Sequence, residues 1–96
     1  APFNFMGYAL LNLAFAKYLN LEPGHLTYFG NDVHLYANQI PIATKQLIRD
    51  VFPAPKMVLH KELNSIDDIF AIEYKDWELI GYEAHPDFKE KPPMAV

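Results

Sequence analysis

The stretch GNDVHLYANQ (residues 30–39) sets Asp32, His34 and Tyr36 at every second position, with Val33 and Leu35 between them. In a strand of period two the three polar side chains share one face and the aliphatics take the other. A carboxylate, an imidazole and a phenol in a row could grip a polyhydroxylated ligand. The same pattern also describes the wet side of a half-buried strand. Asp32 and His34 invite a metal, but His25, His60 and His85 add no partner at ligand spacing, so no metal site is expected. The chain contains no cysteine, which excludes disulfides, thiolate metal centres and a cysteine nucleophile within these 96 residues. With a net charge of −4 and Arg49 as its sole arginine, it has no basic stripe for a nucleic acid.

The elements that must position these groups are legible in outline. Residues 4–19 predict a helix with almost no polar side, because Phe5, Tyr8, Leu11, Phe15 and Leu19 leave little of its surface for water. Asn4 sits where an N-cap belongs, and Gly7 suggests close approach of something bulky. This apolar run is too short to span a bilayer and no basic segment precedes it, so a core helix of a cytoplasmic protein is expected. After a turn at NLEPGH, the residues HLTYFG and DVHLY predict a strand broken at Gly30-Asn31. Asn38 can cap a second helix with Pro41 in its first turn; Ile40, Ala43, Leu47, Ile48 and Val51 follow helical spacing on it, while Lys45, Gln46, Arg49 and Asp50 face outward. MVLH reads as a strand, SIDDIF as a short helical turn, and AIEYKDWELIGYE as one or two strands. The expected class is α+β: a mixed sheet of several strands packed on a long buried hydrophobic helix. At 51% hydrophobic and 15% aromatic the chain is richer in apolar residues than a lone domain of its size needs. That excess points to another chain covering part of its surface.

Taken in order, PFN entering MGYALLNLAFA, DVHLY followed by Asn38, PAPK before a strand, WELIGYEAHP and the terminal PPMAV resemble the C-terminal portion of thymidylate synthases. The resemblance runs over nearly all of residues 1–96, with the blocks in the family's order and near its spacing. It implies a partial thymidylate synthase-like fold and assigns roles residue by residue. Asn4 would hydrogen-bond the pyrimidine ring of deoxyuridylate (dUMP). His34 and Tyr36, with Leu35 between them, would bind the deoxyribose hydroxyl. Phe3 would line the folate side, while Ala95 would contact 5,10-methylenetetrahydrofolate and Val96 would help close over it.

The residue types suit those roles. An amide carries a donor and an acceptor side by side, matching the O4 acceptor and N3–H donor of uracil. A flipped amide would match cytosine, so neighbours must fix which way it points. His34 and Tyr36 lie roughly 7 Å apart if the strand is extended, close enough for both tips to reach one hydroxyl. In one departure from the pattern, Asn31 stands where the family usually has glycine; asparagine tolerates a left-handed backbone.

The family's reaction opens with a cysteine thiolate adding to C6 of deoxyuridylate. The resemblance places that cysteine and the phosphate-binding arginines in an N-terminal portion upstream of PFN, so this chain supplies no nucleophile. It is expected to act as part of a synthase that pairs as a homodimer when complete. A deoxyuridylate hydroxymethylase part would share Asn4, His34 and Tyr36. A non-catalytic nucleotide-binding or dimer-forming fragment is the third reading.

Overall fold

The computed structural model describes residues 2–89. Helix α1 (Pro2–Tyr18) is followed by an irregular segment, a 3-10 turn (Ala37–Gln39) and helix α2 (Ile40–Leu47). Strand β1 (Lys56–Leu59), helix α3 (Ile66–Phe70), a second 3-10 turn (Tyr74–Asp76) and strand β2 (Trp77–Ile80) complete it. The two strands pair antiparallel, with Lys56 opposite Ile80, Met57 opposite Leu79, Val58 opposite Glu78 and Leu59 opposite Trp77.

Local chemistry accounts for the element ends. At the end of α1, Asn20 takes the left-handed conformation (φ 56°). The Leu21 and Asn20 amides donate to the carbonyls of Ala16 and Lys17, the paired bonds of a Schellman stop. At the start of α3 the Asp68 carboxylate accepts from the backbone amides of Asn64 (2.8 Å) and Ser65 (3.1 Å). That reciprocal capping ends the loop and starts the helix. Gly81 follows β2 with φ 76°, a conformation that a side chain would strain.

The core is small. Ala14 and Ala16 of α1, Leu59 of β1 and Ile69 of α3 are buried. The Lys17 ammonium donates to the Leu59 carbonyl and tethers α1 to the strand pair. On the far edge His60 and Glu78 meet at 2.6 Å, both half exposed.

Several expectations need correction. Helix α1 is long and hydrophobic but not buried on most faces: Phe3 is 86% exposed, Tyr8 is more than half exposed, and Met6 and Leu11 are exposed as well. Asn4 lies inside the first turn of α1 rather than capping it. The sheet has two antiparallel strands among the described residues, not several in a mixed arrangement. Residues 25–36 form no strand, because no neighbouring segment among the described residues offers the ladder of backbone partners that a strand requires. Asn38 sits within the 3-10 turn, and α2 starts behind Gln39 with Pro41 in its first turn as expected. Helix α2 ends at Leu47, so Ile48 and Val51 never join its apolar face. Asn20, not Asn31, is the asparagine with positive φ.

The accessible surface is 8625 Å² for an 11.1 kDa chain. A self-contained protein of that mass exposes about 5,700 Å². The radius of gyration, 17.2 Å, likewise exceeds the about 13 Å of a compact domain this long. Much apolar surface faces outward. Among the described residues no helix is long and apolar enough to cross a membrane.

Candidate functional site

Asn4 projects from the first turn of α1 into a shallow groove of about 480 Å³, shared with Phe3, Gly7, Tyr8 and Leu11. Residues 3, 4, 7, 8 and 11 form one helical stripe, so α1 builds this groove from its own surface. A Cβ added at Gly7 would meet nothing within 4 Å, and its missing side chain keeps the groove open beside the amide. Asn4 is exposed, and its side chain makes no hydrogen bond to another described residue.

The irregular segment after α1 is held against the helix at two points. Asn12 donates to the Gly24 carbonyl at 3.3 Å. Phe5 meets Tyr28 edge to face, with ring centroids 4.6 Å apart. The chain then folds tightly over Gly30. A Cβ placed there would lie 2.3 Å from a Val33 methyl and 3.1 Å from the Tyr28 ring. Only glycine leaves space for those side chains to close.

Beyond that bend His34 and Tyr36 stand edge to face, ring centroids 5.2 Å apart and planes 77° apart. The spacing that a strand would have provided is met by a loop instead. His34 Nδ1 lies 2.8 Å from the Asp32 backbone carbonyl and 3.8 Å from the Asp32 carboxylate. A carbonyl only accepts, so Nδ1 carries the proton in that bond and a neutral ring keeps its lone pair at Nε2. Both rings are half exposed. Leu35 turns the other way, into a hollow of about 220 Å³ lined by Gln39, Ile42, Ala43 and Gln46.

The structure therefore brings His34 and Tyr36 together and sets Leu35 against α2. Asn4 occupies a groove of its own, and no hydrogen bond or ring contact among the described residues joins it to His34 or Tyr36. The Phe5–Tyr28 contact links the two regions. Phe3 lies exposed in the Asn4 groove. Ala95 and Val96 lie outside the described residues.

A third cluster was not anticipated. Helical spacing puts Arg49 on a solvated face, yet its guanidinium lies 3.8 Å above the Phe88 ring and donates to the Pro86 carbonyl at 3.0 Å. The adjacent Asp50 carbonyl accepts from His85 Nε2 at 2.8 Å, and the His85 ring stacks on Phe52. A cavity of about 470 Å³ opens beside these residues, with Gln46 and Tyr82 on its wall. The available signal was composition: a lone arginine and a late His-Pro-Asp-Phe run, which no local period connects.

The residues that could meet a nucleotide are thus polar, outward-facing and held by few contacts. The comparison with known families places the whole chain: the family model described as thymidylate synthase matches residues 1–96.

Proposed function

The chain belongs to the thymidylate synthase family, and on that premise we propose that it is the C-terminal part of a thymidylate synthase. In this reading it supplies dUMP contacts and part of the folate site for reductive methylation of dUMP to dTMP. The family match across all 96 residues carries the reading. The absence of cysteine means that the thiolate comes from a separate stretch of polypeptide. The exposed apolar faces of α1 are what such a stretch would cover, and the complete enzyme would pair as a cytoplasmic homodimer.

The side chains suit the steps assigned to them. Addition of a thiolate to C6 of the uracil ring moves negative charge through the conjugated system onto O4. A donor from the Asn4 amide at O4 would stabilise that charge while the amide oxygen accepts N3–H. When bound, 5,10-methylenetetrahydrofolate would supply both the methylene carbon, released from its nitrogens, and the hydride that makes it a methyl group; it would leave as dihydrofolate, with the C5 proton lost and the thiolate expelled from C6. A deoxyribose hydroxyl both donates and accepts. The free lone pair at His34 Nε2 and the Tyr36 hydroxyl offer the complementary acceptor and donor side by side. Leu35 would support this pair from the α2 side. Phe3, beside Asn4 in the same groove, would meet the folate, and Ala95 and Val96 would complete its enclosure.

Combining this chain with a cysteine-bearing N-terminal portion should give an assembly that releases tritium from C5-labelled dUMP and forms dTMP when the folate is present. An associated pair that releases no tritium would sink the proposal, and a hydroxymethyl product would identify a hydroxymethylase instead. In the active assembly, Asn4→Asp should shift preference toward deoxycytidylate by about tenfold or more, since a carboxylate accepts from the cytosine amino group. Unchanged selectivity would remove Asn4 from base reading.

A further inference from the structure

Contacts of three kinds join residues 49–52 to residues 85–88, across some 35 positions of sequence. The guanidinium of Arg49 stacks on Phe88 and bonds the Pro86 carbonyl, His85 bonds the Asp50 carbonyl, and Phe52 stacks on His85. None belongs to a helix or a ladder. Apolar packing does little here, because Leu47, Ile48 and Val51 are each more than 80% exposed. Directed contacts of this kind therefore help to hold the 85–88 segment to the residues that follow α2. Arginine suits the position in a way lysine would not: its planar guanidinium covers a ring face while its edge N–H groups reach a carbonyl.

The other end of α2 starts beside the candidate sugar-binding pair. The Gln39 amide donates to the Tyr36 carbonyl at 2.9 Å, so Tyr36 opens the turn that leads into the helix. A short path thus runs from Tyr36 through α2 to Arg49 and across to Phe88. We propose that Arg49 is a positioning residue that, through Pro86 and Phe88, sets where the chain past Lys89 begins relative to the His34–Tyr36 pair. This inference rests on the reading of Ala95 and Val96 as folate contacts. It adds the residue that would anchor their segment.

Two measurements test it separately. In this chain as it stands, trypsin should release residues 90–96 by cleavage after Lys89 about tenfold faster in Arg49→Ala than in wild type, because losing the stack and the charged hydrogen bond opens the segment. Phe88→Leu, which keeps the charge and removes the ring face, should act in the same direction, and Arg49→Lys should not restore slow cleavage. Equal release rates in all four proteins would overturn the clamp. In the reconstituted enzyme, Arg49→Ala should raise the KM for methylenetetrahydrofolate about tenfold while dUMP affinity stays within about twofold. Parallel loss of both affinities would mark a general structural role and overturn the positioning assignment. A wild-type assembly without turnover would count against the proposed function, and the proteolysis would still decide whether Arg49 holds the segment.

Discussion

The last turns of α1 and its first turns belong to one helix but have different surroundings. Ala14 and Ala16 are buried, with Lys17 bonded to the Leu59 carbonyl and a Schellman stop behind them. Phe3, Asn4 and Tyr8 face outward over a groove that the helix lines by itself. The supported end has partners within the chain. The end that carries the candidate base-reading amide has few, and the loop beside it is held by Asn12, Phe5 and the bend at Gly30. Stability and the proposed recognition are thus located at opposite ends of a single element, and substitutions should separate them.

Leu59→Ala should give the largest stability effect, since Leu59 is only 7% exposed in the small core. Truncating a buried leucine costs about 2–3 kcal/mol even when part of the cavity collapses. Phe29→Ala, at a residue 90% exposed, should stay within about 0.5 kcal/mol despite removing a larger side chain. Urea unfolding of both variants measures the contrast. Similar losses would mean that the loop is packed as firmly as the core and would erase the distinction.

Gly30→Ala probes the other region. The new methyl group would collide with Val33 and crowd Tyr28, forcing apart the bend that carries Asp32, His34 and Tyr36. Such overpacking in a segment with few tethers should reshape the segment and leave the core intact. In the reconstituted enzyme, dUMP affinity should fall by about fivefold, roughly 1 kcal/mol. The unfolding midpoint of the chain should not move. A lower midpoint with unchanged affinity would reverse the assignment of the two regions.

The same division governs what the sequence made legible. Helix α1, the Ser65 start of α3, β1 and β2 rest on local signals: an apolar run, a capping pair, short β-branched or aromatic stretches. Residues 25–36 alternate as a strand does, yet a strand also needs neighbours on its edges, and alternation carries no information about them. The closeness of His34 and Tyr36 survived because residues two apart can meet in a loop as well as in a strand. Their relation to Asn4 depends on tertiary placement, which spacing does not encode. Arg49 was missed for the same reason: its partners lie 37 and 39 positions downstream, and extending α2 to Val51 turned it toward solvent on paper.

The smallest expected effect belongs to the supported region and concerns pH. The Asp68 carboxyl sits below the usual aspartate range, first because the Asn64 amide donates to it, with help from the Ser65 amide and the positive charge of Lys61. The folded chain therefore holds the ionised form more strongly than the unfolded chain does. A group whose folded pKa is depressed adds stability above its unfolded value, near 3.8, and loses it as the pH falls through the lower folded value. Wild type should thus show a slight extra loss of stability as the pH falls below about 4. Asp68→Asn keeps an oxygen for the same amides but removes the proton uptake, so that part of the acid sensitivity should flatten. The check is the difference between the two proteins' urea midpoints at pH 6 and pH 3. The carboxylate is exposed, so the difference should be small beside Leu59→Ala, and it should shrink further in salt as Lys61 is screened. If the midpoints of both proteins fall in parallel, the amide contacts of Asp68 do not help to hold the start of α3, and the supported region rests on Leu59, Ile69 and the strand pair.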